Sequence, residues 1–213
     1  MPDCEPVPDG PRRRRLVVLA GMRGDIRAAR AGMADTEPVV RAAALAALAR
    51  AGGLGVVDVV AGLTDRAPAV RRRACEAAVA AGLAGAAPAV LARLEDRDAS
   101  VVEVAAWALG ELGELTTLPP GTVDVLSRIA TTHADALARE AAVAALGAIG
   151  DPDGLPAILI GTRDKPAVRR RAVLALAPFE GPDVDAALER AVTDRDWQVR
   201  QAAQLVSGGS GPT

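Results

Sequence analysis

Residues 35–48 read DTEPVVRAAALAAL, and variants of this phrase recur throughout the chain of 213 residues. The phrase has the form D-x4-V-R-x2-A-x2-A-L. Its other copies are DRAPAVRRRACEAA from Asp65, DRDASVVEVAAWAL from Asp96, HADALAREAAVAAL from His133, RDKPAVRRRAVLAL from Arg163 and DRDWQVRQAAQLV from Asp194. Repetition at this period predicts an array in which each unit buries its apolar face against its neighbours.

The spacing of the copies locates an insertion. Successive copies of the arginine position lie 30 or 31 residues apart, except for one interval of 37 residues between the third and fourth copies. We assign the extra residues to 114–121, ELTTLPPG, which contains the only pair of adjacent prolines. We therefore expect a single domain over residues 12–206 that is interrupted there. The proline-rich residues 1–11 predict a disordered tail, and SGGSGPT at 207–213 predicts a flexible one.

Each unit is expected to contain two short helices. The first precedes the phrase, and the second carries V-R-x2-A-x2-A-L behind a turn that usually begins with Asp. Proline stands three residues into the phrase at Pro38, Pro68 and Pro166, where a first helical turn tolerates it. Counted from the Asp position as zero, small or apolar residues recur at positions 5, 9, 12, 13 and 16, which form one helical stripe. The sequence thus predicts an all-α fold.

Composition argues against several functional classes. A net charge of −2 and a pI near 5.5 disfavour a general nucleic-acid binder, which usually carries a basic face. A single histidine and two distant cysteines provide no histidine metal cluster and no Cys-x2-Cys zinc spacing. No phosphate-binding glycine loop is present either, so we assign no catalytic residue, no metal and no cofactor. No apolar run reaches 18 residues and no secretion signal precedes the repeats, so we expect a cytoplasmic protein that does not enter a membrane.

The recurring phrase resembles the HEAT-repeat superfamily, and it is most similar to the short HEAT-like repeats of phycobilisome (bilin) lyases. The resemblance extends over residues 12–206. It implies a right-handed α-solenoid of about six helical hairpins, with the helix at the start of the array as a capping half-repeat. In that family the V-R helix lines the concave face, and the preceding helix lies on the convex face.

The charged residues of the phrase are predicted to be structural. The complete pairs of Asp and Arg positions are Asp35 and Arg41, Asp65 and Arg71, and Asp194 and Arg200. The resemblance implies that these residues form a ladder of hydrogen bonds and ion pairs between neighbouring repeats. An arginine fork beside the buried stripe can bond a carboxylate and exposed carbonyls together. The ladder is expected to fail in the middle, where Val102 replaces Arg and His133 replaces Asp, and Asp164 lies one residue late.

Phrase positions 7, 8 and 11 are predicted to face the concave groove. The candidate partner-binding residues at or near these positions are Arg72, Arg73, Glu76, Glu103, Trp107, Glu111, Glu140, Arg170 and Arg171. They outline two basic edges on either side of an acidic centre that holds one tryptophan. Trp107 is either a binding anchor or a side chain folded over the gap left at Val102. The arginines are either a solvated surface or a contact for an acidic partner or a phosphate.

The preferred functional hypothesis is a non-enzymatic scaffold or adaptor, favoured as a monomer, that grips a protein segment or helix in its concave groove. A bilin-lyase-like enzyme or tetrapyrrole chaperone is the alternative, and it rests on the family resemblance alone. A HEAT-like DNA-repair protein is less favoured, because the acidic centre opposes the cationic face that DNA requires.

Overall fold

The computed structural model describes residues 9–208, and every regular element within that range is helical. Six helical hairpins follow a single first helix, so the all-α repeat architecture is confirmed. The helices are α1 Gly10–Met22, α2 Ile26–Ala31, α3 Pro38–Arg50, α4 Val56–Leu63, α5 Pro68–Ala80, α6 Ala87–Leu91, α7 Ala99–Gly113, α8 Thr122–Thr132, α9 Ala136–Ile149, α10 Leu155–Gly161, α11 Pro166–Ala175, α12 Pro182–Val192 and α13 Trp197–Gly208. The described connections also contain the short 3-10 turns Gly32–Ala34, Ala84–Ala86, Ala92–Glu95 and Pro152–Gly154.

The helices divide into two compact units, Met1–Ala86 and Ala87–Thr213. The N-terminal unit contains α1 to α5, and the C-terminal unit contains α6 to α13. Because the repeat phrase runs on without interruption at this point, it carries no signal for the division. The expectation of a single domain over residues 12–206 stays a prediction.

Helix α3 illustrates how the phrase encodes a V-R helix. It begins at Pro38, whose missing N–H and fixed φ suit the first turn of a helix. Val40, Ala44 and Leu48 from the predicted apolar stripe are each 0% exposed. Beyond the helix, Gly52 adopts φ +68°, a left-handed conformation that favours glycine at a helix end. The turn chemistry and the helical stripe therefore act together in each copy of the phrase.

Two pairs of V-R helices approach so closely that their contact requires glycine. A Cβ at Gly21 in α1 would lie 2.6 Å from the Cα of Ala47 in α3. A Cβ at Gly147 in α9 would lie 2.6 Å from the Cβ of Ala175 in α11. These separations are below van der Waals contact, so neighbouring helices pack backbone against backbone at these points. The alanine-rich composition serves this close packing.

The structure corrects the predicted start of the array. Helix α1 begins at Gly10, because Asp9 accepts a hydrogen bond from the backbone N–H of Arg12 at 3.0 Å and caps the helix. The predicted disordered tail over residues 1–11 therefore extends too far, because residues 10 and 11 belong to the helix. The rest of that prediction, residues 1–8, lies outside the described residues.

The other two predicted irregular segments are also located. Helix α13 continues to Gly208, past the predicted boundary at residue 206, and residues 209–213 of the predicted tail lie outside the described residues. Residues 114–121, to which we assigned the insertion, form the non-helical connection between α7 and α8. In the part of the chain that the structure describes, no helix is long and apolar enough to cross a membrane.

Candidate interaction surface

A ladder of arginines and aspartates fixes how the V-R helices stack. Arg41 in α3 donates from Nε and Nη2 to the two carboxylate oxygens of Asp65, at 2.7 Å each. Its Nη1 donates to the backbone oxygens of Asp35 and Thr36, at 2.9 and 3.0 Å. Arg41 therefore closes its own turn and also holds the aspartate of the following copy of the phrase. Both members of the ion pair are largely buried.

The same fork recurs at three further rungs. The distances from Nε and Nη2 to the carboxylate are 2.8 and 3.1 Å for Arg13 and Asp35, 2.6 and 2.8 Å for Arg139 and Asp164, and 3.0 and 2.8 Å for Arg169 and Asp194. In these four rungs the hydrogen bonds from arginine hold the pKa of the aspartate below its usual value. The carboxylate of each rung comes from the following copy of the phrase.

The remaining predicted ladder arginines bond the backbone of their own turn in the same way. Arg71 donates from Nη1 to the backbone oxygen of Asp65 at 2.9 Å. Arg200 donates in the same way to the backbone oxygen of Asp194 at 2.8 Å. All six residues that the sequence proposed as a structural ladder thus make ladder contacts.

Two ladder residues were missed by the sequence reasoning. Arg13 belongs to the run of four arginines at 12–15, to which the sequence analysis assigned no ladder residue, yet it forms the first rung. Its position 28 residues before Arg41, close to the repeat interval, is the signal that could have identified it. Asp164 supplies the carboxylate of its rung, while the preceding Arg163, at the expected aspartate position, is exposed.

The predicted failure of the ladder in the middle is the loss of one complete rung. Val102 occupies the arginine position of α7 and is buried, and His133 occupies the aspartate position that would have paired with it. His133 still organises its turn, because its Nδ1 accepts the N–H of Asp135 at 3.1 Å, as Asp65 accepts that of Ala67. Since both halves of the rung are replaced together, neither substitution leaves a buried charge without its counterpart.

In the N-terminal unit, three of the candidate binding residues lie on α5. Arg73 forms an ion pair with Glu76 one turn later, whereas the buried Nε of Arg72 makes no hydrogen bond with the described residues. All three line a groove of about 560 Å³ that crosses α1, α3 and α5. The structure thus places these residues around a concave surface of this unit.

In the C-terminal unit, Glu103, Trp107 and Glu111 lie on one face of α7 because they are four residues apart. Trp107 is 40% exposed, although most of α7 is buried. Position 102 lies about 140° away from Trp107 around the helix, at 100° per residue. The exposure and this angle disfavour the interpretation in which Trp107 covers the gap at Val102.

The other three candidates of the C-terminal unit contact one another. Glu140 on α9 lies 3.9 Å from Arg170 and 3.7 Å from Arg171, both on α11. The predicted second basic edge is therefore partly neutralised by a carboxylate that we had assigned to the acidic centre. Near-surface ion pairs at these distances are weak, so both arginines remain available to other anions.

The insertion forms a pocket that the sequence did not predict. Residues 116–124, together with Asp151 and Asp153, enclose about 400 Å³ beside the end of α9. Among residues 9–208, no group of three or more His, Cys, Asp or Glu side chains is arranged to hold a metal ion.

Comparison with known families identifies the repeat. Four overlapping matches to the model of HEAT repeats cover residues 26–110, 56–131, 103–166 and 123–207. The chain belongs to the HEAT-repeat family. The resemblance carried by the phrase is thereby confirmed. No curated protein sequence matches this chain significantly.

Solved structures share the helical-repeat architecture at low sequence identity. A crystal structure of an engineered protein has a TM-score of 0.63 and 22% identity, over 87% of this chain and 97% of that chain. The complex of CpcE and CpcF of phycocyanin lyase from Nostoc sp. PCC7120 has a TM-score of 0.62 and 22% identity, over 88% and 77%. A designed armadillo repeat protein in complex with the peptide (KR)4 has a TM-score of 0.59 and 18% identity, over 94% and 99%. These likenesses show the repeat-solenoid fold alone.

Proposed function

We propose that this HEAT-repeat protein is a non-enzymatic binding module that holds a segment of a partner protein against the exposed faces of its V-R helices. The observation that carries the proposal is the exposure of Trp107 on α7. Tryptophan is the side chain most enriched among residues that dominate protein interfaces, because it buries a large area with few rotatable bonds. A lone, half-exposed tryptophan amid buried alanines and leucines fits that role.

Trp107 is the first member of an apolar row across the C-terminal unit. The same phrase position is occupied by Ala144 on α9, Leu174 on α11 and Leu205 on α13. These four helices pack side by side in chain order. Leu205 is 66% exposed, so the row has a large apolar side chain at each end.

The length of the row matches a short segment of protein. Packed helices lie about 8–10 Å apart, so four of them extend the row over roughly 25–30 Å. An extended chain covers that distance with about eight or nine residues. Glu103 and Glu111 flank Trp107 one turn away on each side, and they favour a partner with a basic residue beside its apolar anchor. The designed armadillo protein solved with the peptide (KR)4 supports the idea that this kind of fold can hold a basic peptide.

The experiment compares the two tryptophans of the chain. The wild-type protein, Trp107→Ala and Trp197→Ala are immobilised, and proteins retained from the native host are identified and then purified. Trp197 is a matched control because it is 61% exposed at the first residue of α13, away from the row. We expect Trp107→Ala to lower the affinity for the purified partner by about 30-fold, as the loss of an interface hot spot does. Equal affinity for the two variants would refute the proposal, and circular dichroism verifies that both remain folded.

A further inference from the structure

The groove of the N-terminal unit has the form of a trough with a small apolar floor. The floor is formed by the middle of α3, which presents the methyl side chains of Ala42, Ala43, Ala46 and Ala47, between Val39 near the start of the helix and Arg50 at its end. Val18 and Val39 add apolar surface and are 40% and 52% exposed. Helices α1 and α5 pack on either side of α3 and carry longer side chains. The missing bulk along α3 is what creates the concavity.

Four arginines stand around this floor, and we call the surface the basic trough. They are Arg14 on α1, Arg50 at the end of α3, and Arg72 and Arg73 on α5. Among the described residues of the lining, only Glu76 is acidic, and it pairs with Arg73. The trough therefore carries a clear excess of positive charge in a chain whose net charge is −2.

Three of these arginines have no polar partner in the part of the chain that the structure describes. Arg14, Arg50 and Arg72 form no hydrogen bond or ion pair with the described residues, and the Nε of Arg72 is buried without an acceptor. The ladder arginines of the same helices, Arg13 and Arg41, are by contrast fully engaged with aspartates. The ladder therefore engages Arg13 and Arg41, whereas Arg14, Arg50 and Arg72 have no polar partner among residues 9–208.

The charge of the chain is also unevenly distributed along its length. Residues 1–86 contain 13 arginines and 9 acidic residues, whereas residues 87–213 contain 12 basic and 18 acidic residues. The basic trough therefore lies in the part of the chain that has a positive balance. Its field is reinforced by its surroundings, which favours approach of an anionic partner.

We infer that the basic trough binds an acidic amphipathic helix of a partner protein. The inference rests on the proposed protein-binding function and adds a partner class and a second binding surface. A helix is about 10 Å across, and the flanking helices α1 and α5 lie about 16–20 Å apart, at 8–10 Å on either side of α3. A docked helix lays its apolar stripe on the α3 alanines, and its carboxylates accept hydrogen bonds from the guanidinium groups on both sides.

The apolar floor distinguishes this partner from a nucleic acid. Phosphate backbones bind mainly through cationic side chains and gain nothing from a floor of methyl groups. An amphipathic helix uses both features of the trough, because the alanines contact its apolar face and the arginines contact its carboxylates. Removing the acidic groups or the apolar stripe of the partner is therefore expected to weaken binding.

The test uses a fluorescein-labelled helical peptide of about five turns, with leucines at helical spacing and glutamates on both flanks. Its control replaces every glutamate by glutamine. The full chain is titrated by fluorescence anisotropy, and the glutamate peptide is expected to bind at least ten-fold more tightly than the control. No saturable binding, or equal affinity of the two peptides, would overturn the inference. Tighter binding of duplex DNA that displaces the peptide would overturn it as well.

Variants of the chain locate the site. The double variant Arg14→Gln, Arg72→Gln is expected to bind the glutamate peptide at least ten-fold more weakly than the wild type. Arg23→Gln combined with Arg27→Gln removes the same charge from exposed positions of the N-terminal unit outside the trough, and it is expected to preserve binding. Equal losses in the two double variants would mean a diffuse charge effect and would overturn the inference.

Trp107→Ala separates this inference from the proposed function. The variant is expected to bind the glutamate peptide normally, since Trp107 belongs to the C-terminal unit. If Trp107→Ala abolishes peptide binding, the assignment to the trough is wrong while the role of Trp107 stands. A second outcome separates the two claims in the other direction. If only the Arg14→Gln, Arg72→Gln variant loses peptide binding, the assignment to the trough is supported. If Trp107→Ala also captures the host partner as well as the wild type does, the proposed function of the apolar row is wrong.

Discussion

The guanidinium of Arg41 and the carboxylate of Asp65 face each other as a two-pronged ion pair, with both N–O distances at 2.7 Å. The two residues are 24 positions apart in sequence and belong to successive copies of the repeat. Since Arg41 also bonds the carbonyl of Asp35, one side chain connects the turn of its own copy to the turn of the next.

Removal of this arginine is expected to destabilise the N-terminal unit. Arg41→Ala leaves the Asp65 carboxylate and two backbone carbonyls without their donor, so the free energy of unfolding should fall by about 2–4 kcal/mol. Arg41→Lys should recover little, because an ammonium cannot bond two oxygens in one plane. Urea unfolding measures the effect. Arg50→Ala is the control and should stay within about 0.5 kcal/mol of the wild type; a similar loss there would contradict the assignment.

The ladder also predicts the response to acid. Arginine holds the pKa of Asp65 and Asp194 below the usual aspartate value near 4. A depressed pKa contributes stability that is present above the unfolded-state pKa and is lost as pH falls through the folded-state pKa. The urea midpoint should therefore change little between pH 7 and 5 and fall steeply below about pH 4. Asp65→Asn with Asp194→Asn should lower the midpoint at pH 7 and flatten the decline, whereas Asp183→Asn, at an exposed position, should not.

The missing middle rung can be restored by design. Val102→Arg alone places a charge in a buried position without a carboxylate and should cost about 3 kcal/mol. His133→Asp alone keeps the turn and should be close to neutral. The double variant should recover most of the loss, so that a double-mutant cycle gives a favourable coupling of at least about 1 kcal/mol. Strictly additive effects would show that positions 102 and 133 are not two halves of one rung.

At the close helix contacts, replacing glycine by alanine is expected to destabilise the protein, which is the opposite of its usual effect in a helix. Alanine stabilises an ordinary helix relative to glycine by about 1 kcal/mol. At Gly147, however, the added methyl would meet Ala175 at 2.6 Å, so Gly147→Ala should destabilise by about 1–3 kcal/mol. At Gly110 the nearest atom is 3.1 Å away, and the cost should be smaller. Thermal unfolding ranks the two variants, and the reverse order would contradict the packing.

Much of the fold could be predicted from the sequence, because the same helical pattern recurs in several copies of the phrase. The helical stripe and the ladder positions recur in each copy, so one irregular copy is corrected by its neighbours. The role of Arg13 was missed because it sits within a run of four arginines. The pairing of Asp164 was missed because turns tolerate a shift of one residue.

The candidate surfaces were less accessible, because they depend on what each side chain does after folding. Sequence placed Arg72, Arg73 and Arg170 alike on the groove face. Only the structure shows that Arg170 lies near the carboxylate of Glu140, whereas no ion pair joins Arg72 to the described residues. The trough also depends on Arg14 and Arg50, neither of which was among the candidate binding residues. Periodicity identifies a face, but not which charges on it remain unpaired.

The most direct test of the proposed function is the fluorescence of Trp107 itself. In the Trp197→Phe variant, Trp107 is the only tryptophan of the chain. Saturation with a tryptophan-free segment of the host partner should shift the emission to shorter wavelength and protect it from acrylamide, because the indole moves from water into an apolar contact. Unchanged emission and quenching with the segment fully bound would contradict the claim that Trp107 anchors the partner.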